Sequence, residues 1–220
     1  MALDAKKLVF EPIRVEDSVR IAPYFYRRPN KTCDSCALDS YLWAEYCDTR
    51  IAEWEDKALF ILMEKDGEQY TATPYCDEED LPQYFDLIKD YFNQVLKKPL
   101  KIYLADEEAV KYLHLEEDPR FIVREEEDYK DYLYDAEELR TLPGKRFHKK
   151  KNLVNKFKRE YEGRWEYRSI RCLEKQAVWD FLDRWYTHRV KEEGNGEETL
   201  EYEIKGIHEV LQNFFAIDHY

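Results

Sequence analysis

The sequence predicts an α+β fold, and three observations lead to this prediction. Apolar residues at helical spacing alternate along the chain with short runs typical of strands. An Asp-Gly pair between two apolar runs is typical of a β-hairpin. Hydrophobic residues make up 44% of the 220 positions, which is enough for a core, while 38% charged residues require a large solvated surface. A chain of this length forms one large domain or two small ones.

The first predicted element is a short strand over 9–13, and the second is a helix that begins after Glu16-Asp17. Another helix is expected to begin at Thr32 or Asp34. Its steps of three and four residues align one stripe, which consists of Cys36, Ser40, Trp43 and Cys47. We expect Trp43 to lie in the core.

The middle of the chain predicts a β-hairpin followed by a long helix. The runs 58–64 and 69–75 flank Lys65-Asp66-Gly67-Glu68, whose Asp-Gly pair can adopt the positive φ angles of a tight turn. Asp77 can cap the helix that follows. Lys97-Lys98-Pro99 ends it, because cations favour a helix C-terminus and proline cannot continue the helix.

The remaining sequence continues to alternate between the two types of element. We expect strands over 100–104, 121–124, 131–134 and 164–170, helices over 106–114, 135–142 and 145–161, and two final helices separated by Gly194-Asn195-Gly196. Pro143-Gly144 breaks the chain at the point where its charge changes sign. This predicts two units, 1–142 and 143–220, of which the second is small and helix-rich.

The charge of the chain reverses at Gly144. The whole sequence carries a formal net charge of -13 at pH 7, which disfavours indiscriminate binding to nucleic acid or to an anionic membrane. Fourteen acidic residues stand against four basic ones between Asp106 and Glu138. Eight cations then fall within 145–159, with no acidic residue before Glu160. Such a cluster requires a counter-charge.

The start of this basic helix has the ingredients of a phosphate or carboxylate site. Free backbone N–H groups at a helix N-terminus bind anions, and cations there oppose the helix dipole at a cost of about 0.3–1 kcal/mol each unless an anion is bound. Lys150 shares the helix meridian of Phe157, so we expect its ammonium to reach inward. The predicted substrate- or donor-binding residues are Lys145, Arg146, Lys149, Lys150, Lys151 and Asn152. The alternative is a solvated helix attracted to the acidic segment before it.

Motifs for catalysis and metal binding are weak. Five cysteines without a secretion signal argue against a disulfide framework. Cys33-Asp-Ser-Cys36 has no second cysteine pair, so we interpret its thiols as structural, with zinc and redox roles as alternatives, and no metal ligand is predicted. His148 and Tyr134 are candidates for acid-base catalysis beside the basic cluster, with plain surface or packing roles as the alternatives. The longest apolar run, 58–63, is too short to span a bilayer, so we expect a cytoplasmic location.

The residues around the basic segment resemble a family signature. The matching residues are Asp131-Tyr-Leu-Tyr134, Leu139, Leu142, Gly144-Lys-Arg-Phe-His-Lys-Lys-Lys-Asn152 and Asn155-Lys-Phe157. They resemble an uncharacterised bacterial family that is similar to the C-terminal catalytic domain of phosphatidylglycerol lysyltransferases. Cys33, the helix through Trp43 and the opening strand and helix are similar to the N-terminal pattern of the same family, so the resemblance covers nearly the whole chain.

The resemblance implies a GNAT-like fold, the type of the acyl-CoA N-acyltransferases. That fold has a mixed sheet flanked by helices, here followed by a partial, helix-rich second GNAT-like domain. Family members continue with a hairpin and further strands where this chain stops at Tyr220, so the second domain is expected to be truncated.

The same resemblance implies an acyl- or aminoacyl-transferase that uses a phosphate-bearing donor. The donor is either an acyl-CoA or an aminoacyl-tRNA, the latter being the donor of the related Fem peptidyltransferases, and the activity of the truncated chain is open. The pyrophosphate loop of ordinary GNAT enzymes, Arg/Gln-x-x-Gly-x-Gly/Ala, is absent. The alternative function is a non-catalytic module that binds RNA or the headgroups of a peripheral anionic lipid surface through residues 145–159.

Overall fold

The computed structural model describes residues 3–28, 32–103, 105–193 and 198–217 and has an α+β architecture. Its five strands are β1 (Glu11–Pro12), β2 (Arg50–Trp54), β3 (Ala58–Lys65), β4 (Glu68–Thr71) and β5 (Tyr75–Cys76). The helices are α1 (Asp17–Phe25), α2 (Ala37–Leu42), α3 (Leu81–Asp90), α4 (Glu107–Tyr112), α5 (Ala136–Thr141), α6 (His148–Glu160), α7 (Lys175–Glu193) and α8 (Glu198–Gln212). The predicted α+β class is confirmed.

The strands form one antiparallel sheet in the order β1-β2-β3-β4, and β5 pairs with the other end of β3 on the β4 side. The sheet was expected to be mixed, but every strand pairing is antiparallel. Parallel pairing is limited, among the described residues, to an isolated bridge between Thr71 and Ile102. The GNAT-like arrangement and the partial second domain stay predictions.

The centre of the core is β3, which is covered on both faces. Phe60 and Leu62 face a cluster built with α3, while Leu59 and Ile61 face a cluster built with α1. Because side chains alternate between the faces of a strand, burial on both faces requires a continuous apolar run such as 58–63. Each such side chain contributes about 1.5–3 kcal/mol when it is fully buried.

The predicted hairpin is confirmed. Its turn consists of Asp66 and Gly67, which have φ angles of 53° and 79°, and Lys65 pairs with Glu68 across it. Positive φ at both central residues is the geometry of a type I′ turn, which matches the twist of the flanking strands.

The predicted helices are present with shifted ends. The second helix begins only at Ala37, because Cys36 is its N-cap and the Cys36 Sγ accepts a hydrogen bond from the Asp39 N–H. The third begins at Leu81 after a 3-10 turn over Glu78–Asp80, rather than at Asp77. It continues as a π-helical turn to Leu96. The predicted break at Gly194-Asn195-Gly196 lies outside the described residues.

Several predicted strands are wrong. Segment 100–104 makes only the bridge at Ile102, and Leu104 lies outside the described residues. Segments 121–124, 131–134 and 164–170 have no strand pairing. A strand requires a neighbour for its backbone N–H and C=O groups, and local sequence does not provide one. Conversely, the prediction missed β2, because the half-buried Glu53, which contacts Tyr24 and Arg20 of α1, breaks the apolar pattern.

The last helix returns to the first part of the chain. Helix α8 packs against α2 at Gly206, where a Cβ atom would collide with the carbonyl oxygen of Leu42. In contrast, α5 and α6 have no buried residue. Of the helices in the described ranges, none has the length and apolarity that crossing a membrane requires.

Candidate functional site

A cavity of about 880 Å³ lies between the hairpin β3–β4, helix α2 and the loop that precedes α4. The sheet contributes Ile61 and Tyr70, and α2 contributes Asp39. Its size is within the range of small-molecule sites. Five carboxylates and three basic side chains line it, namely Asp34, Asp39, Asp66, Glu68, Asp106, Arg28, Lys65 and Lys101.

A buried ion pair forms one wall of the cavity. The two terminal nitrogens of Arg28 donate to the two carboxylate oxygens of Asp106 at 2.6 Å each, and both side chains are 5% exposed. The hydrogen bond to Asp106 raises the pKa of Arg28. Asp106 also caps α4, because its Oδ1 accepts from the Ala109 N–H at 2.9 Å. Its charge is therefore satisfied.

Asp34 and Asp39 are carboxylates without such a partner. Burial raises the pKa of Asp39 to about 6, and the neighbouring charge of Asp34 adds to this effect. Burial also raises the pKa of Asp34. Trp43 donates a hydrogen bond to Asp39, but within the described part of the chain no basic side chain forms an ion pair with either carboxylate. Two such groups in one cavity favour a bound cation.

Aromatic rings surround these carboxylates. The ring centroids of Tyr70 and Tyr103 are 5.4 Å apart, and those of Tyr103 and Tyr129 are 5.5 Å apart. On the α2 side, Trp43 and Tyr46 are 5.7 Å apart. All five line the cavity. Aromatic faces attract ammonium and guanidinium groups, as Lys65 already shows with its Nζ 3.5 Å from the Tyr46 ring centroid.

The cysteines near the cavity are free thiols with low nucleophilicity. A hydrogen bond to Asp131 raises the pKa of Cys33 to about 12, and burial raises the pKa of Cys36 and Cys47. The thiolate is the reactive form of cysteine, so these shifts favour the inert form. In the ranges that the structure covers, no group of three or more His, Cys, Asp or Glu side chains has a metal-binding arrangement.

The predicted donor-binding residues lie outside the cavity. Lys145 and Arg146 belong to a 3-10 turn before α6, and Lys149, Lys150, Lys151 and Asn152 lie on α6 itself. All six are exposed. Arg146 forms an ion pair with Glu138. Lys150 does not reach inward as expected but lies over Tyr134, 5.3 Å from the ring centroid.

The two catalytic candidates lie at the same end of α6. His148 is its first residue and is exposed. Tyr134 is 51% exposed. Its ring is stacked with that of Tyr132, and the two ring centroids are 6.3 Å apart. Asp131, three residues before Tyr134, accepts a hydrogen bond from the Cys33 N–H at 2.9 Å, and Cys33 precedes the cavity residue Asp34. The structure thus brings Tyr134 and Lys150 together, and neither Tyr134 nor His148 lines the cavity.

Sequence reasoning missed the cavity carboxylates. The sequence places Asp34, like Thr32, at a possible helix start, and Asp39 lies outside the apolar stripe of the predicted helix. The sequence contains one indication of the Asp39 site, because Asp39 and Trp43 are four residues apart and therefore lie on one helix face. Trp43 is half-buried at the cavity wall rather than in the core as expected.

The fold and the cavity define an α+β protein with one antiparallel sheet and a cavity lined by acidic and aromatic side chains. A model of the family described as phosphatidylglycerol lysyltransferase, C-terminal, matches residues 28–214, and the chain belongs to this family. The resemblance found at the basic segment is thereby confirmed.

One solved structure is similar to the chain. It is a conserved protein of unknown function from Bacteroides thetaiotaomicron VPI-5482, with a TM-score of 0.82 and 23% sequence identity. The match covers 95% of this chain and 68% of that one. Because the sequence identity is low while the TM-score is high, this similarity supports the fold alone. A comparison with curated proteins finds no match.

Proposed function

We propose that the chain is a transferase-like protein whose cavity binds the cationic end of an aminoacyl group. The family relationship supports a transferase-like role. The family description names a lysyl group, whose side chain ends in an ammonium. The observation that carries the proposal is the pair of carboxylates Asp34 and Asp39, which face an aromatic cavity without an ion-pair partner among the described residues.

In this proposal, the donor of the group bears phosphate, as in an aminoacyl-tRNA or an acyl-CoA. Its phosphates lie against the exposed cations Lys145, Arg146, Lys149, Lys150 and Lys151, with Asn152 as a further hydrogen-bond donor. The contact between Asp131 and Cys33 supports this placement, because Cys33 precedes the cavity residue Asp34 and Asp131 is three residues from Tyr134, over whose ring Lys150 lies. His148 and Tyr134 stay candidates for moving a proton at that end.

The test is binding of L-lysinamide to the full chain, measured by isothermal titration calorimetry. Norleucinamide is the matched ligand, because it has the same carbon skeleton as L-lysinamide but lacks the side-chain ammonium. We expect the wild type to prefer L-lysinamide, and we expect Asp39→Asn and Asp34→Asn each to weaken its binding at least tenfold. Asp56→Asn, at an exposed turn outside the cavity, is the control and is expected to bind like the wild type.

Equal binding of the two amides, or unchanged affinity in both cavity variants, would contradict the proposal. If L-lysinamide does not bind while a tRNA or anionic vesicles bind with a steep dependence on salt, the alternative of a non-catalytic module is supported instead.

A further inference from the structure

Two buried polar atoms of the cavity wall have no hydrogen-bond partner among the described residues. They are the Nε of Arg28 and the hydroxyl oxygen of Thr73. Both residues line the cavity, and they are only 6% and 7% exposed. A buried polar atom normally has a partner, because losing contact with water without gaining a hydrogen bond is costly. The two atoms therefore indicate a position for a group that the cavity binds.

The geometry of the ion pair explains why the Nε of Arg28 is left over. The two terminal nitrogens of Arg28 donate to the two oxygens of Asp106. This pairing holds the planar guanidinium in place and does not use the Nε–H. A guanidinium has no acceptor atom, so the Nε–H requires an acceptor on its partner.

The hydroxyl of Thr73 is available in a similar way. Thr73 lies in the short link between β4 and β5. The hydroxyl of Thr71, at the end of β4, donates to the carbonyl oxygen of Ile61 at 2.7 Å, whereas Thr73 has no such acceptor in the described ranges. A threonine hydroxyl can donate one hydrogen bond. The cavity wall thus has two unused donors, which suit an oxygen atom of a ligand.

The charge of the cavity favours an oxygen that is neutral. Two of its three basic side chains, those of Arg28 and Lys101, already form ion pairs with the cavity carboxylates of Asp106 and Glu68. A free carboxylate would add to the remaining negative charge, while the carbonyl oxygen of an ester or amide accepts the same hydrogen bonds without a charge. The remaining charged groups are three carboxylates and one ammonium, namely Asp34, Asp39, Asp66 and Lys65.

We propose that the Nε of Arg28 and the hydroxyl of Thr73 donate to the carbonyl oxygen of an aminoacyl group. The cavity then distinguishes an amino acid in ester or amide linkage from the free amino acid, whose carboxylate it rejects. The inference rests on the proposed function, in which Asp34 and Asp39 bind the ammonium of the same group. It adds the residues that bind the acyl end and names the substrate class as amino acids with a derivatised carboxyl group.

The test compares ligands that differ at the acyl end, by isothermal titration calorimetry with the full chain. Cadaverine is L-lysinamide without the carboxamide, and L-lysine carries a carboxylate in its place. We expect the wild type to bind L-lysinamide about tenfold more tightly than either ligand. Thr73→Val, which removes the hydroxyl at nearly constant size, is expected to weaken L-lysinamide about fivefold and to leave cadaverine unchanged. Thr141→Val, at an exposed position of α5, is the control and is expected to bind like the wild type.

Two further variants separate recognition from folding. Thr73→Ser keeps the hydroxyl and is expected to bind L-lysinamide like the wild type. Arg28→Lys keeps a cation beside Asp106 but lacks the Nε–H, so it should also lose the preference for L-lysinamide over cadaverine. Circular dichroism would establish that each variant is folded.

The outcomes distinguish this inference from the proposed function. Equal binding of L-lysinamide and cadaverine, or a Thr73→Val variant that binds L-lysinamide like the wild type, would overturn the inference and leave the ammonium site in place. If norleucinamide binds as tightly as L-lysinamide and Thr73→Val weakens both, the ammonium site fails and the carbonyl contact is supported. Binding of neither amide would overturn both.

Discussion

Asp39 and Asp106 are two cavity carboxylates with opposite surroundings. The bidentate bonds from Arg28 satisfy Asp106, so this carboxylate contributes structure rather than an open binding position. Breaking a buried pair of this kind typically costs about 3–5 kcal/mol. Asp39 is also partly buried, but no described basic side chain lies beside it to balance its charge. Its raised pKa is therefore a sign of a charge that the fold tolerates at some cost.

That cost has a pH dependence that can be measured. The pKa of Asp39 is about 6 in the folded protein, above its ordinary value, so the folded state binds more protons than the unfolded state between about pH 4 and 6. Stability from this group is therefore gained as the pH falls through 6. We expect Asp39→Asn to be more stable than the wild type at pH 7 by about 1–2 kcal/mol, after allowance for solvent screening, and equally stable near pH 4. Urea unfolding at each pH measures the difference, and a difference that does not change with pH would contradict the expectation.

At this scale the sequence predicted the local roles of residues better than their distant contacts. The helix over 106–114 could be read from Asp106, because its cap bond reaches only three residues along the chain. The pairing of Asp106 with Arg28 spans 78 residues and could not be read in the same way. The same limit hid the cavity, since its walls come from separate parts of the chain.

Among the elements, the contact between α8 and α2 depends on one missing side chain. Gly206 lets the two helices approach until its backbone meets Leu42. Helix propensity alone predicts that Gly206→Ala stabilises α8 by about 1 kcal/mol. The collision with the Leu42 carbonyl oxygen predicts the opposite sign, and overpacking of this kind costs about 1–3 kcal/mol.

We therefore expect Gly206→Ala to lower the free energy of unfolding. Glu203→Ala, an exposed substitution on the same helix, is the matched control and is expected to leave stability almost unchanged. Thermal unfolding of both variants checks this. A Gly206→Ala variant with an increased melting temperature would show that the two helices are not in close contact.

Elements whose signal is local were predicted well. The hairpin follows from Asp66-Gly67, and the caps of α4 and α5 follow from Asp106 and Asp135. The three predicted strands without any pairing, 121–124, 131–134 and 164–170, have extended sequence patterns but no strand beside them. Pairing depends on what the rest of the fold places nearby, which no short window of sequence contains.

For the whole molecule, the division into 1–142 and 143–220 stays a proposal. A test of it must take account of the contacts between these two parts of the chain. The segment around α5 and α6 is exposed, whereas α8 lies against α2 through Gly206 and an ion pair between Lys205 and Glu45. The two parts of the chain are thus connected by a contact as well as by the backbone.

Limited trypsin digestion of the dilute protein should cut first within 145–159, where exposed Lys and Arg residues are concentrated. We expect the two fragments to stay together in native size-exclusion chromatography and to separate only under denaturing conditions. The Gly206→Ala variant should release its C-terminal fragment more readily. If the wild-type fragments elute separately, the contact between α8 and α2 is not sufficient to hold the two units together.

Tyr46 belongs to two contacts at once. Its ring lines the cavity. The ring centroids of Tyr46 and Tyr202 of α8 are 5.1 Å apart, and the Tyr46 hydroxyl oxygen lies 3.3 Å from the Thr199 hydroxyl oxygen. Thr199 itself reaches the cavity wall. Because Tyr46 and Thr199 take part in both contacts, we expect attachment of the last helix and occupancy of the cavity to be linked equilibria, in which any effect of one on the other is reciprocal and equal in free energy. We expect a molecule bound beside Asp39 to stabilise the packing of a helix that lies more than 150 residues further along the chain.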